Sequence, residues 1–162
     1  MSNIHILKNT ATEAVVKVYT TNSSGENIDL SLEDDLTTDN QVYVTGTADI
    51  NELTDGSFAH YTGSHVTITG IWWGAKSGKQ IDIMRKIDAT PTFHNHYYLI
   101  NSGFMDFREG GFTDRIYAHK DIRVSFIGGE GFVILRLTKQ GWNPKVETAT
   151  FGIYDDESAV GS

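Results

Sequence analysis

His94-Asn95-His96 places two imidazoles at i and i+2. On a β-strand that spacing puts both on one face. Paired imidazoles on a β-wall are one way to hold zinc, iron or manganese, so this is the first place to look for chemistry. The metal-binding form of the pattern continues with a Glu and, later, another His. Here Tyr97, Tyr98, Leu99 and Ile100 follow, and the spaced glycine expected ahead of the first His is missing. His119 or Asp106 would have to be brought in by the fold. Structural histidines, at the surface or half-buried, account for His94 and His96 more simply. The cases for His60 and His65 are weaker still.

Three other patterns fail on inspection. Gly74-Ala75-Lys76-Ser77-Gly78-Lys79 has the composition of a phosphate-binding loop. However, its first glycine stands one residue too close to Gly78-Lys79, Gln80 replaces the magnesium-binding Ser or Thr, and strands flank it on both sides. It reads as a hairpin turn. Glu33, Asp34, Asp35 and Asp39 offer hard oxygen ligands for calcium, but without the alternation and central glycine of a calcium loop they read as a solvated acidic loop. Asn101-Ser102-Gly103 lacks the preceding glycine of a nucleophile elbow. No pair among the 21 acids is singled out for glycoside hydrolysis, so no catalytic residue is assigned and the expectation is a protein that is not an enzyme.

The totals narrow the classes. A chain of 162 residues fits one domain with a real core, and 39% hydrophobic with 21% charged residues is ordinary globular composition. There is no cysteine, which removes disulfides and thiolate metal sites. The net charge of −8 argues against nucleic-acid and anionic-membrane binding, both of which need a basic patch. The N-terminal MSNIHILKNTATEA lacks the charge-then-apolar order of a signal peptide, and no segment approaches the ~18 apolar residues of a membrane span. The expectation is synthesis in a cytoplasm, with no cofactor and no membrane.

The elements that would position these residues are strands. SHVTITGIWWGAKSGKQIDIMRKI, residues 64–87, alternates twice around a Gly-containing turn and reads as a β-hairpin. Strict alternation there puts Trp72 with Val66 and Ile68 in the core, and Trp73 with Thr67 and Thr69 on the surface. EAVVKVYT (13–20) is a strand with Ala14, Val16 and Val18 on one side. Further strands are expected at 27–32, 41–50, 96–100, 104–107 and 146–154. A second hairpin is expected over 121–139, turning through Gly128-Gly129-Glu130-Gly131. The best helical stretch, Leu30 to Asp39, is short and acidic. Nine or ten short strands make an all-β, two-sheet sandwich of jelly-roll type. The expected division is an extended arm or first strand over 1–12, a single sandwich over 13–154 and a flexible acidic tail over 155–162.

VTITGIWWGAKSGKQIDIMR, followed by DIRVSFIGGEGFVILRLTKQGW, resembles small virion structural proteins of tailed bacteriophages, over roughly residues 64–142. The resemblance implies a capsid decoration (cement) protein: a β-sandwich, often a homotrimer, seated on the major capsid protein or other virion subunits at the capsid surface. No site residue carries over from the family. The expected contact residues are Ile4 and Ile6 on the arm, Trp73, and Phe93, Tyr97, Phe104 and Phe107 in the aromatic segment 89–112. Ile71 beside Trp73, and Phe132 with Ile134 behind Val133 and Leu135, indicate strands buried on both faces, which calls for a third layer or a partner subunit. Two rivals remain. One is a carbohydrate- or receptor-binding module stacking sugars on Trp72/Trp73, Tyr97/Tyr98 and Trp142; the other is a cupin-like metal protein using His94 and His96.

Overall fold

Ala14, Val16 and Val18 have no exposed surface, while Val15, Lys17 and Tyr19 alternate with them and remain partly open. This period-two pattern marks a strand with one face on a core. The computed structural model describes residues 3–46, 63–86, 93–111 and 121–145. They form β1 (Ile4–Asn9), β2 (Glu13–Thr20), β3 (Gly25–Leu30), α1 (Leu32–Leu36), β4 (Gln41–Val42), β5 (His65–Ala75) and β6 (Gln80–Lys86). Then follow β7 (Phe93–Ile100), β8 (Ser102–Asp106), α2 (Phe107–Gly110), β9 (Ile122–Ile127), β10 (Gly131–Gln140) and β11 (Asn143–Pro144). One antiparallel sheet has the order β1-β2-β10-β5-β8 and the other β3-β9-β6-β7, with a short β11-β4 ribbon beside them. Their inner faces share one apolar core, built from Val16, Ile71 and Leu135 on the first sheet and Ile83, Leu99 and Val124 on the second. The fold is the expected all-β sandwich.

Both expected hairpins are something else. β5 bonds to β10 and β8, whereas β6 bonds to β9 and β7, so residues 76–79 carry the chain from one sheet across to the other. The β9–β10 connection makes the same crossing in reverse. The two arches lie side by side: Lys79 N–H donates to the Lys76 carbonyl at 2.8 Å within the first turn, and Lys76 N–H donates to the Glu130 carbonyl of the second at 3.1 Å. A hairpin and an arch share the same alternation, because in both every second side chain is buried. β1–β2 is a true hairpin, closed by Thr10 N–H to the Glu13 carbonyl at 2.8 Å, and β6 and β7, consecutive in the chain, also pair antiparallel in one sheet.

Other boundaries also differ from expectation. Of the strand expected over 41–50, Gln41–Val42 pairs with β11 and residues 43–46 are irregular; 47–50 lie outside the described residues. So do the strand expected over 146–154, the tail over 155–162, and His60 and His119. The acidic loop begins as a helix. Ser31 caps α1 by accepting from Asp34 N–H at 3.1 Å, and Asp35 in turn accepts from Ser31 N–H at 2.8 Å. This reciprocal arrangement satisfies the first-turn donors. Burial raises the Asp35 carboxyl above its ordinary range. Among the described residues no group of three metal-ligating side chains forms, here or elsewhere.

Lys139 closes one end of the core. It continues the buried series Val133, Leu135, Leu137 and is 4% exposed. Its ammonium donates to Asn9 Oδ1 (2.8 Å), the Thr10 carbonyl (3.0 Å), the Leu36 carbonyl (2.5 Å) and Gln41 Oε1 (2.8 Å), and stands 5.1 Å from the Trp142 ring. Four oxygens share three N–H groups, so one cation ties β1, α1, β4 and β10 together. Burial pushes its pKa down to about 8.

Replacing Lys139 with Met leaves these buried oxygens without a donor and is expected to cost about 2–4 kcal/mol in urea unfolding. The pH dependence has a definite sign. The unfolded chain holds this proton up to about 10.4 and the folded one up to about 8, so the unfolded state binds more protons in between. Wild-type stability relative to Lys139→Met should therefore rise between pH 8 and 10, by roughly 2–3 kcal/mol. A flat difference across that range refutes the buried-lysine linkage.

Candidate functional site

The tryptophan assignment is reversed by one residue. Leu137 pairs with Ile68 and Arg136 with Gly70, so Thr69 is an extra residue in β5. Such a bulge shifts the alternation by one and exchanges the two faces beyond it. Val66 and Ile68 face the core before it; Ile71 and Trp73 face the core after it, opposite Leu135 and Val133. Trp73 packs on the core, donates its Nε1–H to the Ile100 carbonyl at 3.1 Å and lies across Gly103, where a Cβ would come within 2.9 Å of the ring. Trp72 therefore points outward. It folds back over Gly70, where a Cβ would stand 2.7 Å from the indole.

Arg136 holds this arrangement. Its Nε–H donates to Thr69 Oγ1 (3.0 Å) and its Nη2 to the Thr69 carbonyl (2.7 Å), while Thr69 Oγ1 donates to the Arg136 carbonyl (3.2 Å). The same guanidinium forms an ion pair with Asp106 Oδ1 (2.6 Å) and lies 5.3 Å from the Trp72 ring. Asp106 then caps α2, accepting from the Arg108 and Glu109 N–H groups at 3.1 and 3.4 Å. Hydrogen bonding from Arg136 holds the Asp106 carboxyl below the usual carboxylate range. Bulge, aromatic platform and short helix are thus one hydrogen-bonded unit.

This unit frames an open depression of about 470 Å³, lined by Trp72, Phe104, Met105, Asp106, Glu109 and Gly110. Phe104 lies across from Trp72 on β8 and is 68% exposed. The outer face continues away from the depression through Ile134, Phe132 and Tyr19, with the Lys17 ammonium within 6 Å of the last two rings. A second depression, of about 420 Å³, lies over the β1–β2 turn and is lined by polar side chains together with Trp142 and Pro144.

The other expected contact residues scatter. Ile4 packs on the core and Ile6, on the same edge strand, is 41% exposed. Phe107 is buried and Trp73, partly buried, turns inward, so both pack on the core. Tyr97 faces inward against Phe107, with ring centroids 5.9 Å apart, while Tyr98 faces out. Trp142 is buried edge-on to Tyr43. The expected platform of Trp72/Trp73, Tyr97/Tyr98 and Trp142 therefore does not exist as one surface. Tyr97 pairs with Ile83 and Asn95 with Met84, leaving His96 as an extra residue, so the period-two spacing that would put His94 and His96 on one face is broken. The side chains of Phe93 and His94 lie outside the described residues. His65 is buried between the Gly63 carbonyl (2.9 Å) and Gln140 Oε1 (2.7 Å), a structural role. Missed from sequence were Trp72 as the surface tryptophan, and Arg136, Asp106 and Glu109 around it.

Comparison with family models, curated proteins and solved structures finds no match to this chain.

The bulge assignment makes the two tryptophans unequal. Trp73→Ala should cost about 3 kcal/mol in urea unfolding, in the range for large core truncations, and Trp72→Ala about 1 kcal/mol. Equal costs, or the reverse order, overturn it.

Proposed function

We propose that this chain is a non-enzymatic virion structural protein, a capsid decoration protein that docks on assembled shell subunits. The observation that carries this reading is the β1 edge. β1 ends the five-stranded sheet, bonded to β2 on one side, and no described strand pairs with its other side. An edge of this kind carries main-chain donors and acceptors that an extended segment of another chain can pair with. Its register shifts between Ile6 and Lys8, which makes Leu7 an inserted residue. Leu7 is 55% exposed beside Ile6, so the edge offers two adjacent apolar side chains together with its backbone. A strand supplies direction and hydrogen bonds, and the apolar pair supplies specificity. The resemblance of residues 64–142 to phage virion proteins supplies the partner class, the major capsid protein, and the expected homotrimeric state.

Truncating residues 1–12 is a poor test, because Ile4 packs on the core and the Asn9 side chain bonds Lys139. The double variant Ile6→Glu/Leu7→Glu changes only exposed positions. It should keep the wild-type melting temperature within a few degrees while losing at least tenfold in co-sedimentation with empty phage shells. Undiminished co-sedimentation removes the edge from the contact, and absence of any shell binding by the wild type removes the reading itself.

A further inference from the structure

We propose that the depression between Trp72 and Phe104 is a saccharide subsite that takes a single pyranose ring. The argument begins with what the depression offers. Its floor is aromatic surface, Trp72 and the 68%-exposed Phe104; Met105 between Phe104 and Asp106 also lines it while packing on the core opposite Ile71. Its polar lining is two carboxylates, Asp106 and Glu109. A ligand must therefore present an apolar face to rings and hydrogen-bond donors to oxygens. A pyranose does both, through its C–H face and its hydroxyls.

Charge separates this ligand from the alternatives. Asp106 is already paired with Arg136 at 2.6 Å, so it accepts hydrogen bonds without carrying an unbalanced charge into the site. The Arg136 guanidinium already sits by the Trp72 ring, where an ammonium ligand would seek the same π-system and be repelled. An anionic ligand would meet Glu109. A neutral polyol meets neither obstacle.

The site is also pre-organised, which lowers the cost of binding. Trp72 is seated on Gly70, Arg136 is fixed to both Thr69 and Asp106, and Asp106 fixes the first turn of α2. The depression adjoins β8, the edge of the sheet opposite β1. Binding there is independent of the shell reading, and a protein anchored through β1 would keep this end free.

The test uses the isolated full chain. Tryptophan fluorescence and isothermal titration are run against neutral oligosaccharides of glucose, galactose, mannose and N-acetylglucosamine, with choline as the cationic control. At least one oligosaccharide should quench fluorescence with millimolar or tighter affinity, unchanged between 0.05 and 0.5 M salt, the order expected when no net charge is neutralised. Phe104→Ala, at an exposed position, should weaken binding at least tenfold by titration while leaving the melting temperature unchanged. Glu109→Gln keeps an acceptor oxygen and should change affinity less than threefold. Binding of choline alone, lost in Glu109→Gln, overturns the proposal in favour of a cation site. No binding across the panel, or binding untouched by Phe104→Ala, also overturns it. None of these results bears on shell co-sedimentation.

Discussion

The guanidinium of Arg136 decides which tryptophan this protein shows to solvent. Without a brace, the extra residue at Thr69 would leave an unpaired backbone carbonyl in the middle of a five-stranded sheet, and such a group is costly when it lacks a partner. Arg136 reaches across from β10 and bonds both the Thr69 carbonyl and the Thr69 hydroxyl, then turns its remaining donors to Asp106 on the far strand. An exposed ion pair would contribute little. This one is half-buried, runs across three strands and is joined to the bulge, so its worth lies in geometry. It holds the alternation shifted by one residue, keeping Ile71 and Trp73 inside and Trp72 outside.

The layers of the fold were legible because alternation is a direct print of burial. EAVVKVYT reads as a strand and is one from end to end; the buried side of residues 131–139 is equally plain. What alternation does not carry is pairing. In a hairpin the two strands lie about 4.8 Å apart and share hydrogen bonds; in an arch they lie about 10 Å apart and share a core. Ile81 and Ile83 are buried in either case, and a short turn containing Gly78 closes either connection. Both expected hairpins therefore failed for the same physical reason. The distinction rests on which strands far away in sequence are the better partners: β10 for β5, and β9 for β6.

The candidate site was less legible, because single inserted residues made it. A period-two reading has no term for an insertion, so Thr69 exchanged Trp72 and Trp73, and His96 broke the face assumed for the histidine pair. A signal was present in hindsight. Gly70, two residues before Trp72 on its face, is the small neighbour that a ring lying flat on the sheet requires, and Gly103 stands to Trp73 in the same way. A basic residue at Arg136 between Leu135 and Leu137 reads as an ordinary solvent-facing position until its partner Asp106 is known, thirty positions away. Lys139 was hidden differently. It follows the buried parity of β10, yet a lysine near a strand end is ordinarily taken for a solvated one.

The outer face of the five-stranded sheet bears on the inference from two-sided strands to a third layer. Phe132 and Ile134 do lie behind Val133 and Leu135, but they are not bare. The Lys17 ammonium stands 5.6 Å from the Phe132 ring and 5.8 Å from the Tyr19 ring, and the Arg136 guanidinium 5.3 Å from the Trp72 ring. Long cationic side chains shield apolar surface while keeping their heads in water. The sheet thus supplies part of its own cover within one chain, and the need for a partner falls on the places where no such cover is found. Among the large apolar side chains of this sheet, the most exposed are Phe104 on β8 and Leu7 on β1, one at each edge. The middle of the sheet is dressed for water and its two edges are left apolar.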